Sequence, residues 1–279
     1  MKSLKVYLTI VSAFFALNIY AQSNLDGDEQ YKPRIGQDGK DVVWVPTSNT
    51  LVTTMLQTAK VTPKDLVYDL GSGDGRIAIA AAKDFGARAV GIEYNPEMAQ
   101  LAQRNVDRSG VADRVKIING DIFVEDFSSA TVVTMYLLPE LNLSLRPTIL
   151  KMKPGTRVTS HAFDMGDWEA DIEIEGPARA FYWVVPAQVE GEWLISGLER
   201  DRTILKLSQH FQKIGGTILI GNEQQTILNP RLNGATLSFT YLNRDKSAND
   251  VKMTLKNKEL EGIFKDKYYT DTVITGKRL

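Results

Sequence analysis

The sequence contains no cysteine and only two histidines among its 279 residues. The absence of cysteine excludes disulfides, thiolate metal sites, a cysteine nucleophile and a lipoprotein anchor. It also suits an oxidising compartment, where stray thiols are a liability. The two histidines, His161 and His210, lie far apart in the chain, so a histidine-based metal site has little support and we expect no metal.

The chain also lacks an excess of charge of either sign. Its formal net charge is −1, from 33 basic and 34 acidic residues. No overall field would recruit nucleic acid or an anionic membrane, so we expect neither as a partner. With 43% hydrophobic and 24% charged residues the protein is an ordinary globular one, long enough for one large domain or two smaller ones.

One long apolar run, Val6 to Ile19, stands at the N-terminus. Lys2 and Lys5 precede it and Ala21 follows it, a pattern typical of a secretory signal peptide. We therefore interpret residues 1–21 as a signal peptide cleaved after Ala21, and we expect an exported, periplasmic protein that contacts the membrane only through this segment. An uncleaved anchor is the alternative, since the run is near the lower limit for a membrane span.

Pattern and composition divide the rest of the chain into three parts. Residues 22–41 are polar with several glycines, which predicts an extended arm. Residues 42–187 alternate strand and helix patterns, which predicts a parallel sheet with ligands at the carboxyl ends of its strands. Residues 188–279 carry short alternating apolar runs between turns such as Asn233-Gly234, which predicts a small antiparallel β-barrel or sandwich. This β-domain either binds a partner or ligand, or packs against the first domain.

The strongest motif is a glycine turn between a predicted strand, Leu66–Leu70, and a predicted helix that begins at Arg76. The positions that define it are Asp69, Gly71, Gly73 and Gly75. A dinucleotide fingerprint would need its third glycine at position 76, which is arginine here. The pattern instead resembles the first motif of the class I S-adenosylmethionine (SAM)-dependent methyltransferases. By that resemblance, Asp69 holds the α-amino group of SAM, directly or through water.

Two further predicted strands also end in acids. The run Ala89–Glu93 ends in Glu93, and the run Val115–Ile122 contains Asp121 near its end. A carboxylate at the end of the second strand accepts hydrogen bonds from ribose hydroxyls. In the methyltransferases, an acid at the end of the third strand meets the adenine amino group. The alternative is that Glu93 and Asp121 only cap the helices that follow.

The resemblance becomes closer when four runs are taken together. They are Val45-Pro46-Thr47, Asp69–Arg76, Val133–Glu140 and Lys153–Val158. They resemble the small seven-strand protein-lysine methyltransferases, which include mitochondrial enzymes acting on the adenine nucleotide translocase and on an ATP synthase component, and exported bacterial relatives. The similarity covers roughly Val42 to Pro186. The eukaryotic enzymes lack the secretion signal and the tail after Pro186. The resemblance implies a Rossmann-like seven-strand methyltransferase sheet with SAM as cofactor.

The same resemblance assigns a role to each cofactor-binding position. Thr47 belongs to a lid over the methionine end; Asp69, Gly71, Gly73 and Gly75 hold that end; Glu93 takes the ribose; Tyr94 lies along the adenine; and Asp121 with Ile122 takes the adenine edge. The family places its acceptor after the fourth strand, at Tyr136–Pro139. No Asn-Pro-Pro-Tyr stands there, which disfavours the amino groups of bases as acceptors.

Catalytic candidates follow from the needs of methyl transfer to a lysine, which must lose a proton before it reacts. Tyr136 or Trp168 can flank the lysine stem or ammonium. Asp164 can accept the proton. The alternatives are that Trp168 is a packed loop anchor and that His161 is a satisfied histidine at a strand end.

The sequence therefore predicts a SAM-dependent methyltransferase that methylates an amine, specifically a protein lysine. Two alternatives stay open: a small-molecule or lipid methyltransferase with the same SAM site, and a non-catalytic periplasmic binding protein on this fold. SAM is made in the cytoplasm, so an exported enzyme either meets SAM across the membrane or acts before export.

The signal peptide generates the first prediction. We expect the mature protein to begin near Gln22 and to be recovered outside the cytoplasm, because a positive end and a short apolar core direct secretion. N-terminal sequencing of the protein from fractionated cells checks this. A full-length product in the cytoplasmic fraction contradicts it.

Overall fold

A computed structural model describes residues 27–176, 178–265 and 271–279. The expected signal peptide, residues 1–21, lies outside the described residues. The helices of the described part are α1 (Asn49–Thr58), α2 (Arg76–Phe85), α3 (Pro96–Arg108) and α4 (Pro139–Ile149). Within these same ranges, no helix combines the length and apolar character that a membrane crossing requires.

Seven strands form one mixed sheet. They are β1 (Leu66–Leu70), β2 (Arg88–Glu93), β3 (Val115–Asn119), β4 (Val132–Met135), β5 (Arg157–His161), β6 (Ile172–Ile174) and β7 (Ala180–Val184). Their order across the sheet is β3-β2-β1-β4-β5-β7-β6. β1 pairs in parallel with β2 and with β4, whereas β6 and β7 pair antiparallel at the edge. The strand order reverses between β1 and β4, where an open α/β sheet binds its ligand. The predicted seven-strand sheet is confirmed.

Local sequence explains where the helices begin and end. The side chain of Ser48 caps α1, and that of Asn95 caps α3, whose first turn contains Pro96. α2 runs between two glycines in the left-handed conformation, Gly75 at its start and Gly86 at its end. β1 has the bounds that the sequence predicts.

Nine strands form a second, antiparallel sheet. They are β8 (Gly191–Ser196), β9 (Thr203–His210), β10 (Lys213–Ile220), β11 (Glu223–Thr226), β12 (Leu228–Asn233), β13 (Thr236–Leu242), β14 (Ala248–Lys256), β15 (Glu259–Lys265) and β16 (Asp271–Arg278). Their order is β11-β10-β9-β8-β16-β15-β14-β13-β12. The first strand, β8, pairs with the last, β16, so that Ile195 lies opposite Gly276. The predicted antiparallel β-domain is confirmed.

The edge strands β11 and β12 close this sheet almost completely into a barrel. The N–H of Ile227 donates to the carbonyl of Gly216 at 3.1 Å. The side-chain amide of Gln225 donates to the carbonyl of Leu242 at 2.7 Å and accepts the N–H of the same residue at 2.8 Å. Alternating apolar side chains fill the interior, including Trp193, Leu205, Ile218, Phe239, Met253 and Ile274. Near closure leaves little free strand edge for pairing with other chains.

The chain divides into two compact units. The first contains the residues up to Leu145 together with Thr159–Gly166 and Ile172–Tyr182. The second contains Arg146–Val158, Asp167–Asp171 and Trp183–Leu279, which is the barrel with two short segments that precede it in the chain. The division at residues 187 and 188 stays a prediction.

Within the second unit, the turn between β9 and β10 packs on Trp168. The Trp168 ring is fully buried, with its centroid 5.9 Å from that of Trp183 and 6.0 Å from that of Phe211. The indole N–H of Trp183 donates to the carbonyl of Trp168 at 2.8 Å. The guanidinium of Arg146 lies 5.6 Å above the Phe211 ring and pairs with Asp167. These aromatic contacts hold the Asp167–Asp171 segment in the unit that contains the barrel.

The barrel interior generates a stability prediction. Phe239 is 2% exposed inside the barrel, so Phe239→Ala should lower the free energy of unfolding by about 3–5 kcal/mol, from lost burial and an unfilled cavity. Ile263 on β15 is 60% exposed, so Ile263→Ala should change it by less than about 0.5 kcal/mol. Urea denaturation of both variants measures the difference. Equal losses would show that Phe239 does not pack as described.

Candidate active site

A cleft of about 270 Å³ opens at the carboxyl ends of the central strands in the first unit. The glycine turn after β1, the segments that follow β2, β3 and β4, and residues 37–47 ahead of α1 line it. The predicted site residues that line it are Thr47, Asp69, Gly71, Gly73, Glu93, Tyr94, Asp121, Ile122 and Tyr136. Residues far apart in the sequence therefore meet at one edge of the sheet.

The glycine turn needs glycine both for its backbone conformation and for space. Gly71 and Gly73 have φ values of +74° and +54°, in the left-handed region. A Cβ on Gly73 would lie 2.8 Å from the indole Nε1 of Trp44, and one on Gly71 would lie 2.9 Å from Cδ2 of Leu137. Neither of these two positions can therefore carry a side chain without displacing Trp44 or Leu137. Gly75 forms the N-cap of α2.

Asp69 ends β1 with its carboxyl group almost completely buried, at 2% exposure. The hydroxyl of Thr134 on β4 donates to its Oδ1 at 2.6 Å. Burial raises the pKa of Asp69 to about 7, and the nearby acids Asp74 and Glu93 add to this rise. A carboxyl group in this environment gains stability from a cation placed beside it, and an α-ammonium group supplies one.

Glu93 ends β2 and joins two of the loops that form the cleft. Its Oε2 accepts the N–H of Gly73 at 2.8 Å, and its Oε1 accepts the N–H of Asn95 at 2.9 Å. Burial raises its pKa. The N-terminus of the following helix is capped by Asn95, whose side chain accepts two backbone N–H groups. The alternative that Glu93 is only a helix cap is therefore not supported.

Asp121 follows β3 and already has a cationic partner. Its Oδ2 accepts from the ammonium of Lys40 at 2.7 Å, and its Oδ1 accepts the N–H of Phe123 at 2.9 Å. The hydrogen bond from Lys40 is the main reason that the pKa of Asp121 is lowered. The same ammonium lies 4.7 Å from the centre of the Tyr94 ring. Lys40 thus contacts two of the three residues that the sequence assigns to adenine.

Thr47 connects the segment ahead of α1 to the start of α2 and to the end of β5. Its carbonyl accepts from the guanidinium of Arg76 at 2.9 Å, and Arg76 pairs with Asp74 at 2.6 Å. Its hydroxyl lies 3.0 Å from Nδ1 of His161, at the end of β5. Burial lowers the pKa of His161, so the imidazole is neutral at pH 7.

A cluster of three ring side chains lies where β4 and β5 end. The ring centre of Tyr136 is 3.8 Å from that of His161 and 6.4 Å from that of Phe163, the latter nearly parallel. Tyr136 and Phe163 both line the cleft. Asn142, fully buried on α4, donates to the carbonyls of Phe163 and Asp164 and fixes this loop.

The other two catalytic candidates differ from Tyr136 in their surroundings. Asp164 is exposed, and its carboxylate accepts the N–H of Gly166 at 3.0 Å. Trp168 belongs to the second unit, where it is fully buried against Trp183 and Phe211. This placement favours the packed-anchor alternative for Trp168. Catalytic roles for Tyr136, Asp164 and Trp168 stay predictions.

Four residues at or beside the site have no role that the sequence assigns: Lys40, Trp44, Arg76 and His161. Lys40 and Trp44 lie in or next to the stretch predicted to be an extended arm, whereas the structure folds Gly36–Trp44 into a hairpin through backbone hydrogen bonds. Arg76 carries a signal, since it takes the place of the third fingerprint glycine and follows an acid by two residues. His161 has only the interpretation of a satisfied strand-end histidine.

Comparisons with known proteins identify this arrangement. A family model described as the ANTKMT methyltransferase domain matches residues 69–172. A protein-lysine N-methyltransferase of Saccharolobus islandicus (strain REY15A) is 50% identical over 129 residues, which are 46% of this chain and 80% of that relative. The chain belongs to the ANTKMT family of class I SAM-dependent methyltransferases. The predicted family and enzyme class are confirmed.

Other relatives match a smaller share of their own length. A Homo sapiens enzyme, named as a lysine N-methyltransferase of ATP synthase, is 31% identical over 145 residues, which are 52% of this chain and 61% of that enzyme. A crystal structure described as an RNA methyltransferase from Salinibacter ruber in complex with S-adenosyl-L-homocysteine is 47% identical, with a TM-score of 0.51. That comparison covers 52% of this chain and 96% of the Salinibacter chain.

SAM is the cofactor of this methyltransferase, and the residues of the cleft fit it. SAM presents an α-ammonium group, two ribose hydroxyls and an adenine amino group, all of them hydrogen-bond donors. The methyltransferase presents carboxyl groups at the ends of β1, β2 and β3 in the order Asp69, Glu93 and Asp121. Among the described contacts of Asp69 no cation of the chain pairs with its carboxyl group, and burial raises its pKa.

The raised pKa of Asp69 predicts that ionisation of this group lowers the stability of the protein and strengthens SAM binding. Because the pKa of about 7 exceeds the unfolded value, the stability that this group contributes is present below about pH 4 and lost as pH rises through 7. Asp69→Asn should therefore raise the free energy of unfolding at pH 8. SAM binding should tighten between pH 5.5 and 7 in the parent protein, where Asp69 ionises, and stay weak and nearly flat in Asp69→Asn.

Denaturation at pH 5.5 and 8, with calorimetric SAM titrations at the same pH values, measures both effects. Equal pH dependence of SAM binding in the two proteins would refute the assignment of Asp69 to the ammonium group.

Proposed function

We propose that this methyltransferase transfers the methyl group of SAM to the ε-amino group of a lysine in a protein acceptor. The observation that carries the proposal is the wall of the cleft beyond Asp69, where Tyr136 and Phe163 lie nearly parallel beside Leu137, Leu138 and Leu141. A lysine stem of four methylene groups suits an apolar wall, and its ammonium suits the faces of aromatic rings. The relatives named as lysine methyltransferases support this choice of acceptor.

The residues of the chain hold the cofactor at three points. Asp69 binds its ammonium group, Glu93 its ribose, and Asp121 with Tyr94 and Ile122 its adenine. SAM supplies a methyl group already activated by a sulfonium. What remains for the protein is to align the acceptor nitrogen within about 3–3.5 Å of that methyl group.

The acceptor lysine must reach the methyl group without its proton. Apolar surroundings disfavour the charged form of an amine, so the wall of Leu137, Tyr136 and Phe163 lowers the pKa of an inserted lysine. The neutral imidazole of His161 keeps Thr47 and Tyr136 in place without adding a positive charge that would repel an ammonium. The aromatic faces and the uncharged His161 let the lysine enter as an ammonium, whereas the apolar wall favours the neutral amine that reacts.

RNA is a second candidate acceptor, because the Salinibacter structure is described as an RNA methyltransferase. The segment after β4, Tyr136-Leu137-Leu138-Pro139, presents apolar side chains and no amide to pair with a base edge. We therefore favour a protein lysine over RNA as the acceptor.

Export is part of the proposal. The Val6–Ile19 run directs the enzyme out of the cytoplasm, so its acceptors are exported proteins, or it acts on them before export.

The deciding experiment incubates the purified protein with methyl-labelled SAM and a cell extract that is then separated into protein, RNA, lipid and small-molecule fractions. We expect the label in protein, recovered as methyl-lysine after hydrolysis. Glu93→Ala removes a ribose partner and should lower SAM affinity and labelling at limiting SAM roughly 10- to 150-fold. Glu97→Ala, an exposed acid on the next helix, is the matched control and should label normally.

Label that remains in RNA, lipid or small molecules, with none in protein, would overturn the lysine assignment. Failure of the parent protein to bind SAM would instead support the non-catalytic binding protein.

A further inference from the structure

Residues 27–47, here called the arm, are attached to the first unit at both ends. Near the start, the carboxylate of Asp28 accepts from Arg104 at 2.6 Å and from Arg108 at 3.3 Å on α3. The hydrogen bond from Arg104 is the main reason that the pKa of Asp28 lies well below its usual range. At the other end, Arg76 donates to the carbonyl of Thr47 at 2.9 Å. The arm is therefore attached to α3 near its start and to the first residue of α2 at its end.

Between these attachments, Gly36–Trp44 forms a hairpin, here called the arm hairpin. Its backbone hydrogen bonds run from Gly36 N–H to the Trp44 carbonyl and from Trp44 N–H to the Gln37 carbonyl. The Gly39 N–H donates to the Val42 carbonyl and closes the tip. A Cβ on Gly39 would lie 2.4 Å from that carbonyl oxygen, so the tip turn requires glycine.

Lys40, at the tip of the arm hairpin, reaches into the cofactor cleft. Its ammonium is 2.7 Å from Oδ2 of Asp121, 3.8 Å from Oδ2 of Asp41 and 4.7 Å from the centre of the Tyr94 ring. Asp121 and Tyr94 are the groups assigned to the amino edge and the face of adenine. The face of the Tyr94 ring that the ammonium covers cannot stack on adenine at the same time. The ammonium also takes an acceptor position on Oδ2 of Asp121, whose Oδ1 already accepts the N–H of Phe123.

We propose that Lys40 competes with the adenine of the cofactor for Asp121 and Tyr94, so that the tip of the arm hairpin lifts before the cofactor binds. The proposal rests on the adenine assignment within the proposed function. Because the arm is attached through Asp28 and Thr47, the tip of the arm hairpin can move while both ends of the arm stay in place. The apparent affinity for the cofactor is then the intrinsic affinity multiplied by the fraction of molecules in which the tip is lifted.

The expected size of the effect follows from the exposure of the contacts. The Lys40 and Asp121 side chains are 38% and 24% exposed, so their ion pair is a weak surface interaction, and the contact with Tyr94 adds a comparable amount. Removing both should tighten cofactor binding roughly 3- to 30-fold. The sign is informative, since loss of an ordinary binding residue weakens affinity.

Calorimetric titration with S-adenosyl-L-homocysteine and with adenosine tests the proposal. Lys40→Met should tighten the binding of both, because both carry adenine. Lys40→Arg keeps the charge and should stay near the parent protein. Lys32→Met, an exposed lysine of the same arm, is the matched control and should change nothing. Raising the salt from about 0.05 M to about 0.5 M should shrink the advantage of Lys40→Met, because salt screens the pair that it removes.

Weaker or unchanged binding in Lys40→Met would overturn the proposal, as would tightening for S-adenosyl-L-homocysteine without tightening for adenosine. These outcomes differ from a failure of the proposed function, which shows as cofactor binding without methylation of lysine.

Discussion

Burial of the Asp69 carboxyl group is the constraint on which the cleft depends. Two acids of the glycine turn are treated differently: Asp74 is neutralised within the chain by Arg76, whereas Asp69 has only the hydroxyl of Thr134 as a close polar partner among the described contacts. A ligand that brings a positive charge to the end of β1 therefore compensates a cost that folding leaves in place. Glu93 fixes the shape of the glycine turn, since its Oε2 accepts the N–H of Gly73. The carboxyl group of Asp69 thus favours a cationic ligand, and that of Glu93 holds the glycine turn next to it.

The parts of the fold set by local chemistry could be predicted from the sequence. β1 follows from a short apolar run, α3 from Asn95 and Pro96 at its start, and the glycine turn from its spacing, because each depends on neighbours along the chain. The contacts that complete the site join distant residues and could not be predicted. Lys40 and Asp121 are 81 positions apart, and Thr47 and His161 are 114 apart. The burial of Trp168 similarly depends on Phe211, which a turn of the barrel supplies.

The barrel lies outside the residues that the family model matches. The family model ends at residue 172, before β7 and all strands of the barrel. Yet the second compact unit also includes Asp167–Asp171, which Phe211, Gln212 and Lys213 contact through stacking, a hydrogen bond and an ion pair. The barrel thus takes part in fixing a segment that follows β5 in the chain and still lies within the matched residues. Packing within its own unit is one role that the structure gives to the barrel.

The pairing of β8 with β16 has a consequence for how the chain acquires its shape. β16 is the final strand in sequence but occupies the centre of the nine-strand order, where it lies between β8 and β15. During vectorial synthesis, β8 emerges long before β16 and stays unpaired on that side until β16 follows. Contacts between such distant positions form slowly. Proteolytic clipping of the last strand would consequently remove a central strand of the barrel rather than trim it at an edge.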